Sequence, residues 1–264
     1  MYVGHVVNYK TRVVGIVRFS HIAPTNPKEI KEKEKELFGE DRMELRFRYF
    51  ENILLPSLDA QVDKEFSILI RSSTLMPEKY KNRILSICES RKYLSAIFIP
   101  PVKEFKELEL EFIDKKLMDD RPGPVATFRV DDDDGLAYDY IGKIKKYLKN
   151  SFKGFVVSFP NGYSTKEGEK GVEYYKINRE MLAAGLAYIA PRMKMGRYIF
   201  NLGPGHLKLA KRYRVIIDPI SMMYIVSGHE YNDSARLEKD DFYKKSDLVE
   251  VERVREKFPW IKAE

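Results

Sequence analysis

Residues 126–141 read ATFRVDDDDGLAYDYI, and four consecutive aspartates, Asp131–Asp134, stand directly after a short apolar run. Adjacent carboxylates repel one another, so a folded chain keeps them together only where water or a positive partner offsets the charge. The run before them, residues 124–130, predicts a buried strand. Residues 135–148 carry apolar side chains at helical spacing and predict a helix. The aspartates are therefore expected between a strand and a helix.

The same alternation of strand and helix precedes the aspartates. Three further strands are predicted at residues 12–20, 66–73 and 95–101, and a segment with helical spacing follows each of them. Apolar runs of this length that alternate with helices are typical of a parallel sheet covered on both faces. The sequence thus predicts an α/β fold with a mostly parallel central sheet flanked by helices.

Polar residues gather where these predicted strands end. Ligands of such sheets bind at the carboxyl ends of the strands. This rule brings RFS (residues 18–20), RSS (residues 71–73) and the aspartates to one edge. Two arginines, Arg18 and Arg71, beside four carboxylates suit a phosphate and a metal ion. We expect both arginines to contact a nucleotide or its phosphates, and the alternative is that each pairs with a surface carboxylate.

Charge and composition narrow the class of protein. The net charge is +7 and the pI about 9.1, which suits a phosphate-bearing partner such as a nucleotide or an anionic membrane. The basic residues are dispersed, without the dense stripe of nucleic-acid binders, so no nucleic-acid partner is predicted. A single cysteine, Cys88, fits a reducing compartment, and no apolar run reaches the roughly 20 residues that span a bilayer. We expect a cytoplasmic protein, with peripheral association at the inner face of a membrane left open.

Four interpretations of the aspartates compete. An EF-hand loop fails, because Gly135 at its sixth position would put Val130 and Ile141 at two essential ligand positions. A solvated acidic turn stays open. So does a phosphatase of the haloacid-dehalogenase type, with Asp132 as nucleophile and Asp240–Asp241 as the later acidic pair. The fourth interpretation is a divalent-metal site that holds a diphosphate.

The metal interpretation follows from ligand chemistry. Mg²⁺ and Mn²⁺ prefer oxygen ligands, commonly one or two carboxylates together with phosphate oxygens of a substrate. In an extended segment residues i and i+2 point the same way, so Asp131 and Asp133 can share a target. This is the DXD arrangement of nucleotide-sugar glycosyltransferases.

Three stretches resemble one family: residues 18–20, residues 48–73 and residues 128–141, which end in FRVDDDDGLAYDYI. Over about residues 12–235 the chain resembles the rhamnosyltransferases, a bacterial group with the GT-A fold. The resemblance implies transfer of a sugar, with rhamnose as one candidate, from a nucleotide diphosphate donor. It also implies Mn²⁺ or Mg²⁺ as cofactor, a glycan or glycolipid as acceptor, and inversion at the sugar.

The resemblance assigns roles to single residues. The D-x-D-D form of the strand-end motif falls on Asp131, Asp133 and Asp134, with Asp131 facing the donor ribose or the metal. GT-A enzymes often add a late histidine as metal ligand, and His229 in IVSGHEYNDS matches that place. Where inverting members have an acidic base at the start of a short helix, this chain has His206. An imidazole suits a base near neutral pH, although helix capping or acceptor contact are alternatives for it.

The prediction is therefore a single GT-A-like domain over residues 1–264, with a nucleotide-sugar-binding half at about 12–134 and an acceptor half at about 135–264. Besides the phosphatase, a non-catalytic metal-dependent module that binds carbohydrate or nucleotide remains open. The predicted donor-binding residues are Arg18, Phe19, Ser20, Arg71, Arg129, Asp131 and Asp132. The predicted metal ligands are Asp131, Asp133, Asp134 and His229, and the predicted catalytic base is His206.

Overall fold

In the first half of the chain, strands appear where the sequence shows apolar runs, and helices lie between them. The structure, a computed structural model, describes residues 3–5, 10–168, 171–192, 196–203, 205–229 and 243–262. In these residues the strands are β1 (Val3–His5), β2 (Val13–Arg18), β3 (Ser67–Ser73), β4 (Leu94–Ile99), β5 (Pro124–Asp131), β6 (Gly135–Leu136), β7 (Val156–Ser158), β8 (Asn161–Gly168), β9 (Gly171–Asn178), β10 (Leu186–Pro191), β11 (Val215–Ile217), β12 (Tyr224–Ser227) and β13 (Leu248–Val249).

The helices concentrate in the first half of the chain. The α-helices are α1 (Pro27–Leu37), α2 (Glu40–Tyr49), α3 (Leu55–Asp59), α4 (Glu78–Glu89), α5 (Phe105–Phe112), α6 (Tyr140–Lys145) and α7 (Val251–Arg255). A π-helical turn, Phe50–Leu54, joins α2 to α3, and a second one, Ile113–Leu117, extends α5. None of the described helices is both long enough and apolar enough to pass through a bilayer.

The central sheet has the strand order β1-β4-β3-β2-β5-β10-β7-β11. Its middle four strands, β4, β3, β2 and β5, are parallel, whereas β10 runs antiparallel to both of its neighbours. The α/β class is confirmed, and the central sheet is mixed, with four of its seven strand pairings parallel. Parallel neighbours need a long crossover, and helices provide it between β2, β3, β4 and β5.

A second sheet, β13-β9-β8-β12-β6, was not predicted. Two of the sequence assignments change with it. The helix predicted over residues 135–148 begins as strand β6 and becomes helical only at Tyr140, because Gly135 pairs with Ile225 of β12. Residues 154–164 read GFVVSFPNGYS, which predicts one long strand. They form two, β7 and β8, because Pro160 between them has no N–H to donate to a strand ladder.

Helices cover both faces of the central sheet, as predicted. Alternate residues of β2 face opposite sides: Val17 belongs to the core under α2 and α4, and Ile16 to the core under α5. Gly15 lies on the first side, where an added Cβ would come within 2.4 Å of the Phe128 ring and 2.5 Å of Ile68. The absence of a side chain at Gly15 is therefore what lets β2 pack closely there.

We expect Gly15→Ala to lower the free energy of unfolding by about 1–3 kcal/mol, because the new methyl overpacks the core against a rigid ring. Gly142→Ala is the matched control: it lies in α6, and an added Cβ meets nothing within 4 Å. That change should be neutral or stabilise by up to about 1 kcal/mol, since alanine is the better helix former. Urea denaturation of both variants checks the pair, and equal effects would contradict the packing described.

Candidate active site

The carboxyl ends of β2, β3 and β5 form one edge of the central sheet. In register, Arg18 lies opposite Arg71 on one side and opposite Asp131 on the other. Arg129 precedes Asp131 by two residues on β5 and therefore faces the same side of the sheet. The edge predicted from the sequence is thus present, with three arginines and the first aspartate on one face.

Asp132 is held by an arginine that the sequence analysis did not select. Both of its oxygens accept hydrogen bonds from Arg46 of α2, one of them from Nε at 2.8 Å. The two side chains are only 6% and 1% exposed. Burial raises the pKa of Asp132 to about 6 against the opposing effect of Arg46, so the pair is ionic at neutral pH. Because both oxygens of Asp132 already accept hydrogen bonds from Arg46, this side chain stabilises the turn and does not contact a ligand.

Asp133 and His229 meet across the two sheets. His229 Nε2 lies 2.9 Å from Asp133 Oδ2, although 96 positions separate them in the chain. His229 follows β12, and its ring stacks on Tyr49 of α2 with centroids 4.4 Å apart. Two of the predicted metal ligands are thus in direct contact, and a helix residue fixes the plane of the imidazole.

The outer two aspartates are neutralised differently. Arg129 donates to Asp131 at 3.2 Å, and although burial opposes it, the charges of Arg129, Arg18 and Arg46 lower the pKa of Asp131. Burial and the neighbouring carboxylates raise the pKa of Asp134 well above its ordinary range, while a backbone hydrogen bond from Ser227 opposes that shift. The Asp134 carboxyl therefore keeps its proton up to a higher pH than an ordinary aspartate does.

The predicted metal ligands do not all converge. The described residues contain no group of three or more histidine, cysteine, aspartate or glutamate side chains that could hold a metal ion. Asp131 is paired with Arg129, and the Asp134 carboxyl lies at the end of β12 near Ser227. Asp133 and His229 are the part of the set that the structure brings together.

Arg71 is also engaged in a buried ion pair. Its Nη1 donates to Glu109 Oε2 of α5 at 2.7 Å, and the Tyr198 hydroxyl donates to the same oxygen. The Phe200 ring lies over two guanidinium groups, with its centroid 4.7 Å from Cζ of Arg71 and 4.9 Å from Cζ of Arg129. The carboxylate that Arg71 meets is thus a buried one, not the surface carboxylate considered as the alternative.

Some polar atoms near this pair remain unpartnered within the described residues. Arg71 Nε, Glu109 Oε1, Arg129 Nε and His21 Nε2 are buried without a hydrogen-bond partner. Buried polar groups are ordinarily satisfied, so such a group of atoms marks a place where water or a ligand completes the hydrogen bonding. It lies on the arginine-bearing face of the edge.

The two residues after β2 have different roles: Phe19 packs in the core and Ser20 lies at the edge of the sheet. Phe19 is fully buried and packs against Phe47 and Phe50, so its side chain faces the core. Ser20 has a left-handed backbone with φ of 48°, uncommon for a residue with a side chain, and its Oγ accepts a hydrogen bond from Arg42. Ser20 therefore turns the chain at the edge, whereas Phe19 anchors it.

His206, the predicted base, is the first residue of a one-turn 3₁₀ helix, His206–Lys211, and is partly exposed. It is not among the described hydrogen-bonding partners of the four aspartates. Asp240 and Asp241, the later acids of the phosphatase interpretation, lie outside the described residues. That interpretation also needs a free carboxylate at Asp132, which instead accepts two hydrogen bonds from Arg46.

Sequence reasoning missed the stripe on α2 that supports the site. Arg42, Arg46 and Tyr49 recur at helical spacing and reach Ser20, Asp132 and His229 in turn. A signal was present, because Arg42 and Arg46 alternate with the apolar Met43 and Phe47, and charged residues on a buried helix face need partners.

Breaking the buried ion pair should be costly. We expect Arg46→Met to lower the free energy of unfolding by about 3–5 kcal/mol at pH 7, because it leaves Asp132 charged and buried. At pH 5 the loss should be smaller, since Asp132, with its pKa of about 6, is then mostly protonated. Denaturant titrations at the two pH values measure both effects.

The control for that experiment is an exposed ion pair. Lys79 and Glu40 are 2.6 Å apart but 56% and 73% exposed. We expect Lys79→Met to change stability by less than about 1 kcal/mol at either pH. A loss for Arg46→Met no larger than this, or one independent of pH, would contradict the buried pair.

His21 should make the fold acid-sensitive. Burial, and then the charges of Arg71 and Arg18, lower its pKa from 6.5 to about 3. The unfolded chain therefore binds this proton at higher pH than the folded one, and stability is lost as the pH falls below 6.5. Between pH 7 and pH 5, His21→Phe should lose about 2 kcal/mol less than the wild type, whereas His5→Phe should behave like the wild type. Urea denaturation at both pH values is the measurement, and identical losses for all three proteins would refute the assignment.

Comparisons with known proteins give distant structural neighbours and one family match. Among solved structures, residues 1–349 of TarS from S. aureus align with a TM-score of 0.44 and 10% identity over 81% of this chain. The same fragment in complex with UDP-GlcNAc aligns with a TM-score of 0.44 and 12% identity over 88% of this chain and 63% of its own. The chain spans 60% of the length of the first of these structures. No curated protein matches the chain significantly.

A family model gives the assignment. The model described as "Putative rhamnosyl transferase" matches residues 12–241, which is most of the chain. The match confirms the family that the resemblance implied. The chain belongs to the "Putative rhamnosyl transferase" family.

Proposed function

We propose that the protein transfers a sugar from a nucleotide diphosphate donor that binds at the carboxyl edge of β2, β3 and β5. The observation that carries the proposal is the contact between Asp133 and His229, 2.9 Å apart and from distant parts of the chain. The sequence predicts both residues as metal ligands, and the structure brings them together beside the ends of parallel strands. Such a pair is the expected core of a donor site.

We propose Mn²⁺ or Mg²⁺ as the cofactor, held by Asp133 and His229. A six-coordinate cation with bonds of about 2.1 Å separates adjacent ligand atoms by about 3 Å, which the spacing of this pair matches. Two protein ligands are enough for these ions, because phosphate oxygens and water complete the shell. When bound, the cation neutralises charge that develops on a diphosphate leaving group.

The arginine-bearing face fits the rest of the donor. Arg18 and Arg129 flank Asp131 in the sheet, so the edge offers two cations and one carboxylate within reach of a phosphate and a ribose hydroxyl. We assign direct donor contacts to Arg18, Arg129, Asp131 and the backbone near Ser20. Arg71, through its ion pair with Glu109, and Asp132, through its ion pair with Arg46, position the neighbouring residues of the site.

The acceptor side is proposed for residues 135–264, with residues 12–134 forming the donor half. His206 is the candidate base that takes the proton of the acceptor hydroxyl, with inversion at the sugar. It is partly exposed at the start of a short helix, a position that an acceptor can approach from solvent. Rhamnose is the sugar that the family description favours, and a glycan or glycolipid is the proposed acceptor.

Synergy between metal and nucleotide tests the donor site without turnover. We expect the melting temperature to rise by about 5 °C or more with Mn²⁺ plus a saturating nucleoside diphosphate, and by less with either alone. The panel is UDP, TDP and GDP. Asp133→Ala should abolish the synergy and His229→Ala should reduce it, because each removes one ligand from the shared shell.

The matched control is Asp63→Ala. Asp63 precedes β3, at the opposite edge of the sheet, where it pairs with Lys145. This variant should keep the full synergy of the wild type. A wild-type protein without synergy for any of the three nucleotides would leave the aspartates with a structural role alone and remove the basis of the donor site.

Turnover then separates the remaining alternatives. Incubation with Mn²⁺ and a panel of nucleotide sugars, scored by release of nucleoside diphosphate, identifies an enzyme and its donor. Binding without release would assign the chain to the non-catalytic modules. Release of inorganic phosphate from simple phosphomonoesters, lost in Asp132→Asn, would assign it to the phosphatases.

A further inference from the structure

The net charge of the protein is concentrated in one segment. Residues 181–217 contain seven lysines and arginines and no aspartate or glutamate. The whole chain has 47 basic and 40 acidic residues, so without this segment the two signs balance at 40 each. A uniform excess would have no direction, whereas an excess of seven within 37 residues, 181–217, creates a local field.

Five of these cations lie on the surface, and we call them the basic surface. Two of the seven are excluded: Arg192 forms ion pairs with Asp114 and Asp120, and Lys194 lies outside the described residues. The members are exposed side chains, and in the described parts of the chain none of them forms an ion pair with a carboxylate: Arg197, Lys208, Lys211, Arg212 and Arg214.

The basic surface is continuous in the fold. Arg197 donates to the Tyr213 hydroxyl at 3.0 Å, and that hydroxyl donates in turn to the backbone carbonyl of Leu202. The short helix His206–Lys211 is thus tied back against the segment that carries Arg197. Arg212 and Arg214 flank Tyr213 in the chain, and the two lysines lie on the short helix before it, so all five cations belong to the segments that meet at this junction.

An apolar side chain stands among these charges. Leu207 is 47% exposed on the same short helix, whereas Leu209 is buried and anchors that helix to the core. An exposed leucine beside Lys208 is unfavourable in water but suits the boundary between headgroups and acyl chains. A soluble polyanion would use the cations alone and would give no reason for the exposed leucine.

We propose that the basic surface docks the protein on an anionic lipid membrane. Lysine and arginine near such a surface each strengthen attachment severalfold, and a cluster of four to eight is the usual size of a lipid-binding patch. Leu207 enters the interface and adds apolar contact. The docking is peripheral and reversible, and it does not depend on which sugar the enzyme transfers.

Vesicle co-sedimentation of the full chain tests the proposal. The vesicles contain 30% phosphatidylglycerol in phosphatidylcholine, about the anionic content at which basic patches bind, or phosphatidylcholine alone. We expect binding to the first and not the second, with loss of binding in about 0.5 M salt because the Debye length shrinks. The triple variant Lys208→Gln/Lys211→Gln/Arg212→Gln should bind on the order of 100-fold more weakly.

A second triple variant controls for net charge. Lys28→Gln/Lys31→Gln/Lys35→Gln removes the same three charges from the exposed side of α1, where glutamates alternate with the lysines. It should bind anionic vesicles like the wild type. Leu207→Ser should weaken binding by a smaller factor that persists in moderate salt, because its contribution is apolar.

Several results would overturn the proposal. One is equal binding to neutral and anionic vesicles, and another is an equal loss in the two triple variants, whose folding is checked by circular dichroism. Tighter binding to heparin, polyphosphate or duplex DNA than to the vesicles, with no effect of Leu207→Ser, would assign the basic surface to a soluble polyanion instead.

Discussion

The buried ion pair between Arg46 and Asp132 is the interaction on which the site depends. Four adjacent carboxylates cannot all be ionised and buried without partners, and Asp132 is the one with no exposure at all. Because Arg46 comes from α2 and binds both oxygens, it fixes the turn after β5 against the helix layer. Asp131 and Asp133 then point away from Asp132 on either side, one toward Arg129 and the other toward His229.

The crowding of charge is thus resolved by four different means. An arginine from a helix bonds Asp132, an arginine from the same strand bonds Asp131, and a histidine that follows a strand of the second sheet bonds Asp133, whereas the pKa of Asp134 is raised. Under the proposed function, Asp133 and His229 together would hold the cation. The same turn thus combines buried carboxylates with pKa values shifted in different directions, which is common at functional sites.

The sequence predicted the parts of the fold that depend on local pattern. Hydrophobic periodicity predicts the four parallel strands and the helices over them. The rule that ligands bind at the carboxyl ends of strands predicts the shared edge of Arg18, Arg71 and the aspartates. The second sheet could not be predicted, because β6 and β12 are joined by pairing across 88 positions, between Leu136 and Tyr224. Likewise no local pattern distinguishes Arg71, which pairs with buried Glu109, from an arginine that faces solvent.

The π-helical turn between α2 and α3 sets the phase of a continuous helical segment. Before it, Arg46 reaches Asp132; beyond it, Gln61 bonds the backbone of both Ala137 and Ile141. The segment therefore holds the chain at the aspartates through Arg46 and just after them through Gln61. The extra residue of the π turn sets the angle, about the helix axis, between these two contacts. Removing one residue between them would rotate Gln61 by about 100° around the helix axis relative to Arg46. Relatives of this chain should then tolerate many changes of residue type along this segment, but no change in its length.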